Sequence, residues 1–275
     1  MAGQRPTDEQ IVQHLESVRN QSKSQSALVL PPLPLTEELS AELAGGSMEG
    51  KEADLHERGY TFIRRCLNDG SCFYRALLFA LLEQLANATS GSRTSGCNAL
   101  LSLLEQQKRT LQQSGYEAIV FEDGMSLLER HIAAVRDRSA GTQELQAQFD
   151  GSSEEKLTEV AHMIMVLRLI TSAEIRANAS MYEPFLMLGE TSAATDVAQF
   201  CSKHVEPMSE EADSVAIVAL VNALQVRITA VYLSPGSPVS ESQFEASGGM
   251  NSSFEGLQLT LLYRPGHYDI LLKRA

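Results

Sequence analysis

Basic residues, cysteines and long apolar runs are all scarce in this chain, and each shortage narrows its possible roles. Lysine and arginine number 22 against 35 aspartates and glutamates, a formal net charge of -13 and a pI near 4.9. Nucleic acid and anionic membranes demand clustered positive charge, so neither is an expected partner. No apolar stretch approaches the roughly 20 residues that a membrane span needs. The opening MAGQRPTDEQIVQHLE lacks the uninterrupted apolar core of a leader peptide. Cys66, Cys72, Cys97 and Cys201 form no CxxC pair, which argues against a disulfide framework or a structural zinc site. A reducing compartment, cytoplasmic or nuclear, is the expectation.

What is present suffices for a large core: 43% of the 275 residues are hydrophobic. TDEQIVQHLESVRN (7 to 20) reads as a short amphipathic helix, with Ile11, Leu15 and Val18 at helical spacing and Thr7 with Gln10 as a capping box. The Ser/Gln tract and Pro31-Pro32-Leu33-Pro34 that follow read as an extended connector. With the Gly45-Gly46 break, they divide the chain into an arm, 1–49, and a compact domain, 50–275.

Within the domain, 73 to 87 and the segment from Ser214 read as buried helices, and 97 to 114, 123 to 138 and 154 to 171 as helices with polar faces. RITAVYL (227 to 233) has strand composition, 234 to 256 reads as a long loop, and LQLTLLYR with YDILLK reads as a closing strand pair. The class is α+β, helices first and a small sheet assembled late.

LNDGSCFYRALLFALL (67 to 82) carries the first chemical signal: a turn runs straight into Cys72, and Cys72 opens an apolar helix. Unpaired N–H groups and the macrodipole at a helix start favour a thiolate. The same N–H groups suit the oxyanion formed when a thiolate attacks a carbonyl. Gly70 supplies a tight turn where backbone can approach a substrate. A buried core cysteine is the plain alternative, and Cys66, Cys97 and Cys201, without the turn-then-helix setting, are read that way.

A nucleophilic cysteine calls for a base and often a third, orienting group. Five of the six histidines, His14, His56, His131, His162 and His204, have no obvious partner in the sequence. His267 differs: in RPGHYDI it enters a strand with Asp269 two residues on. Residues i and i+2 of a strand share a face, so Asp269 can reach the imidazole and fix its tautomer.

DGSCFYRA (69 to 76) and LLYRPGHYDILLK (261 to 273) together resemble the otubain family of ovarian-tumour-type (OTU) cysteine deubiquitinases. QFCSKHVEPM (199 to 208) and the N-terminal helix resemble otubain segments too. The resemblance implies a papain-like OTU domain, a helical lobe plus a small, mostly antiparallel sheet. It implies Cys72 as nucleophile, His267 as general base, Asp269 as the group orienting it, and the backbone N–H of Asp69, with that of Cys72, as oxyanion hole. Tyr268 would line the channel for a Gly-Gly tail, with Gly70 as the turn that lets backbone approach the substrate. Phe185 matches an aromatic ubiquitin contact, with plain core packing as its alternative; Ser214 matches a polar contact, with an N-cap role as its alternative. Ser71 departs from the family's usual Asn. The implied partners are ubiquitin and polyubiquitin, in the linkage that marks proteins for the proteasome, and ubiquitin-conjugating enzymes through the arm. Neither metal nor organic cofactor is implied. A regulator that binds without cleaving, and a papain-like amidase of other specificity, are the competing readings.

Overall fold

The computed structural model describes residues 27–43, 50–186, 196–233 and 237–273. The expected helix at 7 to 20 lies outside them. Six strands form one sheet among the described residues: β1 (Leu33–Pro34), β2 (Tyr60–Arg64), β3 (Arg227–Tyr232), β4 (Ser240–Glu245), β5 (Leu259–Arg264) and β6 (His267–Lys273). Their order is β1-β2-β6-β5-β3-β4. All neighbours run antiparallel except β3 and β5.

Two short helices, α1 (Leu35–Leu43) and α2 (Lys51–Glu57), lie between β1 and β2. The helical lobe then follows: α3 (Cys72–Asn87), α4 (Ser90–Gln113), α5 (Ala118–Arg136), α6 (Thr142–Gln148), α7 (Glu154–Ala177), α8 (Ala179–Leu186), α9 (Val197–Phe200) and α10 (Ser214–Leu224). A π-helical turn, Cys201–Val205, continues from α9. The fold is α+β, as expected.

Nearly every side chain of α3 is buried, so this helix is the spine of the main core. Each of Phe73, Leu77, Phe79 and Leu82 removes a large apolar side chain from water, worth about 1.5–3 kcal/mol apiece. The first turn of α3 is thereby fixed against the start of β6, where Tyr268 and Phe73 meet edge to face at 5.4 Å. A second cluster holds Leu35, Leu39 and Leu55 against Ile63, Val231, Leu262 and Leu271. It ties α1 and α2 to the sheet.

Three expectations need correction. Residues 27 to 39, expected as an extended connector within the arm, belong to the folded domain: Leu28, Val29, Leu35 and Leu39 are buried, and Leu33 and Pro34 pair with Ile63 and Phe62. Pro34 is tolerated because β1 is the sheet's edge strand, where one row of backbone donors goes unused. The sheet is not assembled late only, since β1 and β2 precede the helical lobe. The loop expected at 234 to 256 contains β4 and a 3-10 turn at Ser252–Phe254.

Candidate active site

Cys72 is the first residue of α3 and is 2% exposed. The turn before it is built by Asp69 and Gly70. Asp69 accepts from the backbone N–H of Ser71 at 3.0 Å and from Arg75 Nη1 and Nη2 at 2.9 and 2.5 Å. Both partners of this ion pair are buried, so the turn is locked to the second turn of its own helix. Gly70 has φ 80°, and a Cβ there would stand 2.1 Å from the carbonyl oxygen of Ser209. The close approach that requires glycine is therefore to the protein's own 205–213 loop.

His267 and Asp269 lie on one face of β6. His267 Nε2 stands 2.9 Å from Asp269 Oδ1. The same oxygen accepts from the Cys66 N–H at 2.8 Å. Oδ2 accepts from Arg65 Nη1 at 3.1 Å and from Arg264 Nη2. Burial would push this carboxyl up, but its bond to His267 and the charges of His267 and Arg264 hold it below the usual carboxylate range. Burial would likewise pull the imidazole down. The hydrogen bond to Asp269 and the influence of the nearby Cys72 outweigh it and raise His267 to about 9. An imidazolium facing a thiol, and braced from behind by a carboxylate, is the arrangement that holds a cysteine as its thiolate.

Cys72 Sγ also accepts from the Tyr268 N–H at 3.4 Å. A cleft of about 330 Å³ opens over the thiol, lined by Glu211, Asp213, Ser214, Tyr232, Tyr263, Gly266 and Tyr268 among others. Its carboxylates suit a basic ligand. A larger groove, about 1050 Å³, lies by the far end of α3 near Glu83 and Asn87, and none of the expected site residues lines it. Among the described residues no cluster of His, Cys, Asp or Glu has the makings of a metal site, and no helix is long and apolar enough to cross a membrane.

The structure thus lines one cleft with Cys72, Tyr268 and Ser214, and carries His267 and Asp269 on either side of Tyr268 in β6. Ser214 is the first residue of α10, and the N-cap is Asp213, which accepts from the Ala216 N–H at 2.8 Å. Phe185 does not pack in the core: it is 61% exposed on α8 and does not line the cleft. Ser71 is wholly buried and turns its hydroxyl inward, donating to the Met208 carbonyl at 2.6 Å.

Sequence reasoning missed Arg65, Arg264 and the backbone of Cys66, which complete the shell of Asp269. Their partners lie some two hundred residues away or across a hairpin, and no local pattern marks them. It also missed Arg168, a charged residue inside the apolar run MIMVLRLI. A lone charge in such a run was a usable signal.

The family model described as peptidase C65 otubain matches residues 11–273. The chain is 32% identical over 243 residues to an ovarian tumor domain-containing deubiquitinating enzyme 1 of Arabidopsis thaliana, covering 85% of this chain and 77% of that one. It is 30% identical over 268 residues to the ubiquitin thioesterase OTUB1 of Homo sapiens, covering 97% and 90%. Among solved structures, a chain from a ceOTUB1, ubiquitin aldehyde and UBC13~Ub complex superposes with a TM-score of 0.77 at 26% identity, over 96% of this chain and all of that one. A chain from an h/ceOTUB1, ubiquitin aldehyde and UBCH5B~Ub complex gives 0.78 at 25%, over 98% of both.

Proposed function

Since the chain belongs to the otubain family of cysteine peptidases, we propose that it hydrolyses the isopeptide bond after the C-terminal glycine of ubiquitin. That it is a cysteine-type deubiquitinase follows from its kinship with ubiquitin thioesterases over nearly its whole length. The observation that carries the residue assignment is the His267–Asp269 pair of β6, whose intervening Tyr268 donates its N–H to Cys72 Sγ, with Cys72 and Tyr268 both lining an acidic cleft.

In this reading the Cys72 thiolate attacks the glycine carbonyl carbon and forms a tetrahedral intermediate. Its oxyanion is met by the N–H groups of Cys72 and Asp69. The intermediate collapses to a thioester as His267 gives its proton to the departing lysine amine. Water then loses a proton to His267, attacks the thioester, and frees the ubiquitin carboxylate and the thiolate. Asp269 keeps the imidazole aimed and stabilises its charged form. Tyr268 and Gly266 flank the thiol, where a narrow Gly-Gly tail would pass, and Glu211 and Asp213 suit basic residues upstream of it. Phe185, exposed beside Met181 on α8, is a surface for the ubiquitin body.

The finer substrate is polyubiquitin of the proteasome-targeting linkage, a reading that rests on the family resemblance. Ubiquitin-conjugating enzymes are proposed partners because the similar structures hold conjugating enzyme charged with ubiquitin. Those complexes also favour a second reading, restraint of such enzymes without cleavage. The deciding experiment is reaction with ubiquitin bearing a thiol-reactive C-terminus, beside Cys72→Ala, followed by a linkage panel. A covalent adduct lost in the variant is expected. No adduct, with ubiquitin bound reversibly and transfer from a conjugating enzyme still suppressed, would replace the first reading by the second.

A further inference from the structure

Arg168 is the most unusual charge in the molecule. It sits in the middle of α7, is wholly buried, and has no carboxylate within its hydrogen bonds. Nη1 donates to the Val205 carbonyl at 3.0 Å. Nη2 donates to the Gly70 carbonyl at 2.8 Å, the Ser71 hydroxyl at 3.1 Å, and the carbonyls of Met208 and Glu210 at 3.1 and 2.8 Å. The guanidinium lies over the Tyr74 ring at 4.4 Å, a cation–π contact from the next residue pair of α3. Burial lowers its pKa, the cost of taking a guanidinium out of water.

Its acceptors fall into two groups with different jobs. Gly70 and Ser71 form the turn that delivers Cys72. Val205 ends the π-helical turn, and Met208 and Glu210 belong to the loop that leads from it into Glu211, Ala212 and Asp213, the wall of the cleft. Ser71 doubles the link, accepting from Arg168 while donating to Met208. Gly70 seals it, since its Cα faces Ser209 with no room for a Cβ.

We propose that Arg168, acting through Ser71, is a positioning residue for catalysis: it sets the Cys72 turn, with its backbone donors, in register with the wall that holds the ubiquitin tail. This rests on the functional reading above. It is also compatible with Ser71 standing where the family usually has Asn, because the position needs an inward-facing group that both accepts and donates, and a hydroxyl and an amide each do both.

The test uses the full chain and its Ser71→Ala, Ser71→Asn and Arg168→Lys variants. Three quantities are read: kcat and KM on a ubiquitin C-terminal amide, the pH profile of Cys72 alkylation by chloroacetamide, and the thermal midpoint. Misplacing a turn of oxyanion donors lowers kcat by about ten- to a hundredfold. Ser71→Ala and Arg168→Lys are therefore expected to lose kcat on that scale, with KM within about threefold. Their alkylation profiles should be unchanged, because the substitutions leave the His267–Asp269 pair intact. Ser71→Asn should recover most of what Ser71→Ala loses. Wild-type kcat in Ser71→Ala, a loss confined to KM or the thermal midpoint, or no recovery in Ser71→Asn would overturn the inference. If Arg168→Lys does not fold, the two Ser71 variants decide alone. A parent protein inactive on the amide would overturn the functional reading and this inference with it.

Discussion

At the scale of single residues, the question is what Asp269 supplies. Four groups saturate its two oxygens, and one of them, His267, has a pKa that Asp269 and Cys72 raise to about 9. The sign follows directly. Imidazolium is the acid that protonates the leaving amine, so activity persists below that pKa and falls as pH rises through it. The folded protein also holds this proton more tightly than the unfolded chain. The stabilisation is complete below the ordinary imidazole value of about 6.5 and drains away as pH rises through the folded pKa. Asp269→Asn keeps the shape and removes the charge, leaving burial to dominate. The alkaline limb of kcat/KM is expected to move from about 9 to near or below about 6.5. A limb that stays in place would remove Asp269 from its assigned role. Cys72, His267 and Asp269 were legible in the sequence because a turn-then-helix and an i, i+2 strand pair are local patterns. Arg65 and Arg264 were not, since a long side chain reaches partners that only the folded sheet brings near.

At the scale of elements, the helices carried their own signature and the edge strands did not. α3 and α10 announce themselves by dense apolar composition, and α5 and α7 by periodicity. β4 is SESQFE, exposed along almost its whole length. It has no buried face to generate alternation, so its composition is that of a loop. β1 is hidden for the same reason, under prolines that an edge alone accepts. Helix packing adds a constraint that the sequence shows only as one glycine. Gly124 lets α5 touch α7, and a Cβ there would sit 2.4 Å from the His162 carbonyl oxygen and 2.6 Å from Val166 Cγ2. Neither neighbour can swing away, one being backbone and the other a β-branched side chain. Gly124→Ala is expected to cost about 1–3 kcal/mol by overpacking, read as a lower urea midpoint. Because this crossing is remote from the cleft, kcat at 25 °C should stay within about twofold, given that overpacking at a distance leaves a folded site intact. An unchanged midpoint would mean that the two helices separate freely.

At the scale of the whole molecule, the boundary of the folded unit is at stake. Composition divides the chain at residue 50, where Gly and Pro punctuation ends. The structure ties residues 27 to 39 into the domain through residues 65–67, the segment that leads to the Cys72 turn. Val29 bridges to Cys66, and Leu67 donates to the Leu28 carbonyl. Glu38 binds Arg65, which in turn binds Asp269. Composition could not reveal this, because a segment that adds one strand and half a hydrophobic layer to a sheet has no core of its own. Leu28, Val29, Leu35 and Leu39 are each no more than 1% exposed, and at about 1.5–3 kcal/mol per side chain they match a typical net stability of about 5–15 kcal/mol. A chain running from residue 50 is therefore expected to lose cooperative unfolding, whereas one running from residue 27 should keep it. Thermal unfolding followed by circular dichroism separates the two. A cooperative transition in the shorter chain, at the midpoint of the longer, would show that the sheet closes on β2 without β1 and α1. A cooperative but inactive shorter chain would instead assign the segment to Arg65 and Asp269, and so to alignment of the site rather than to the fold.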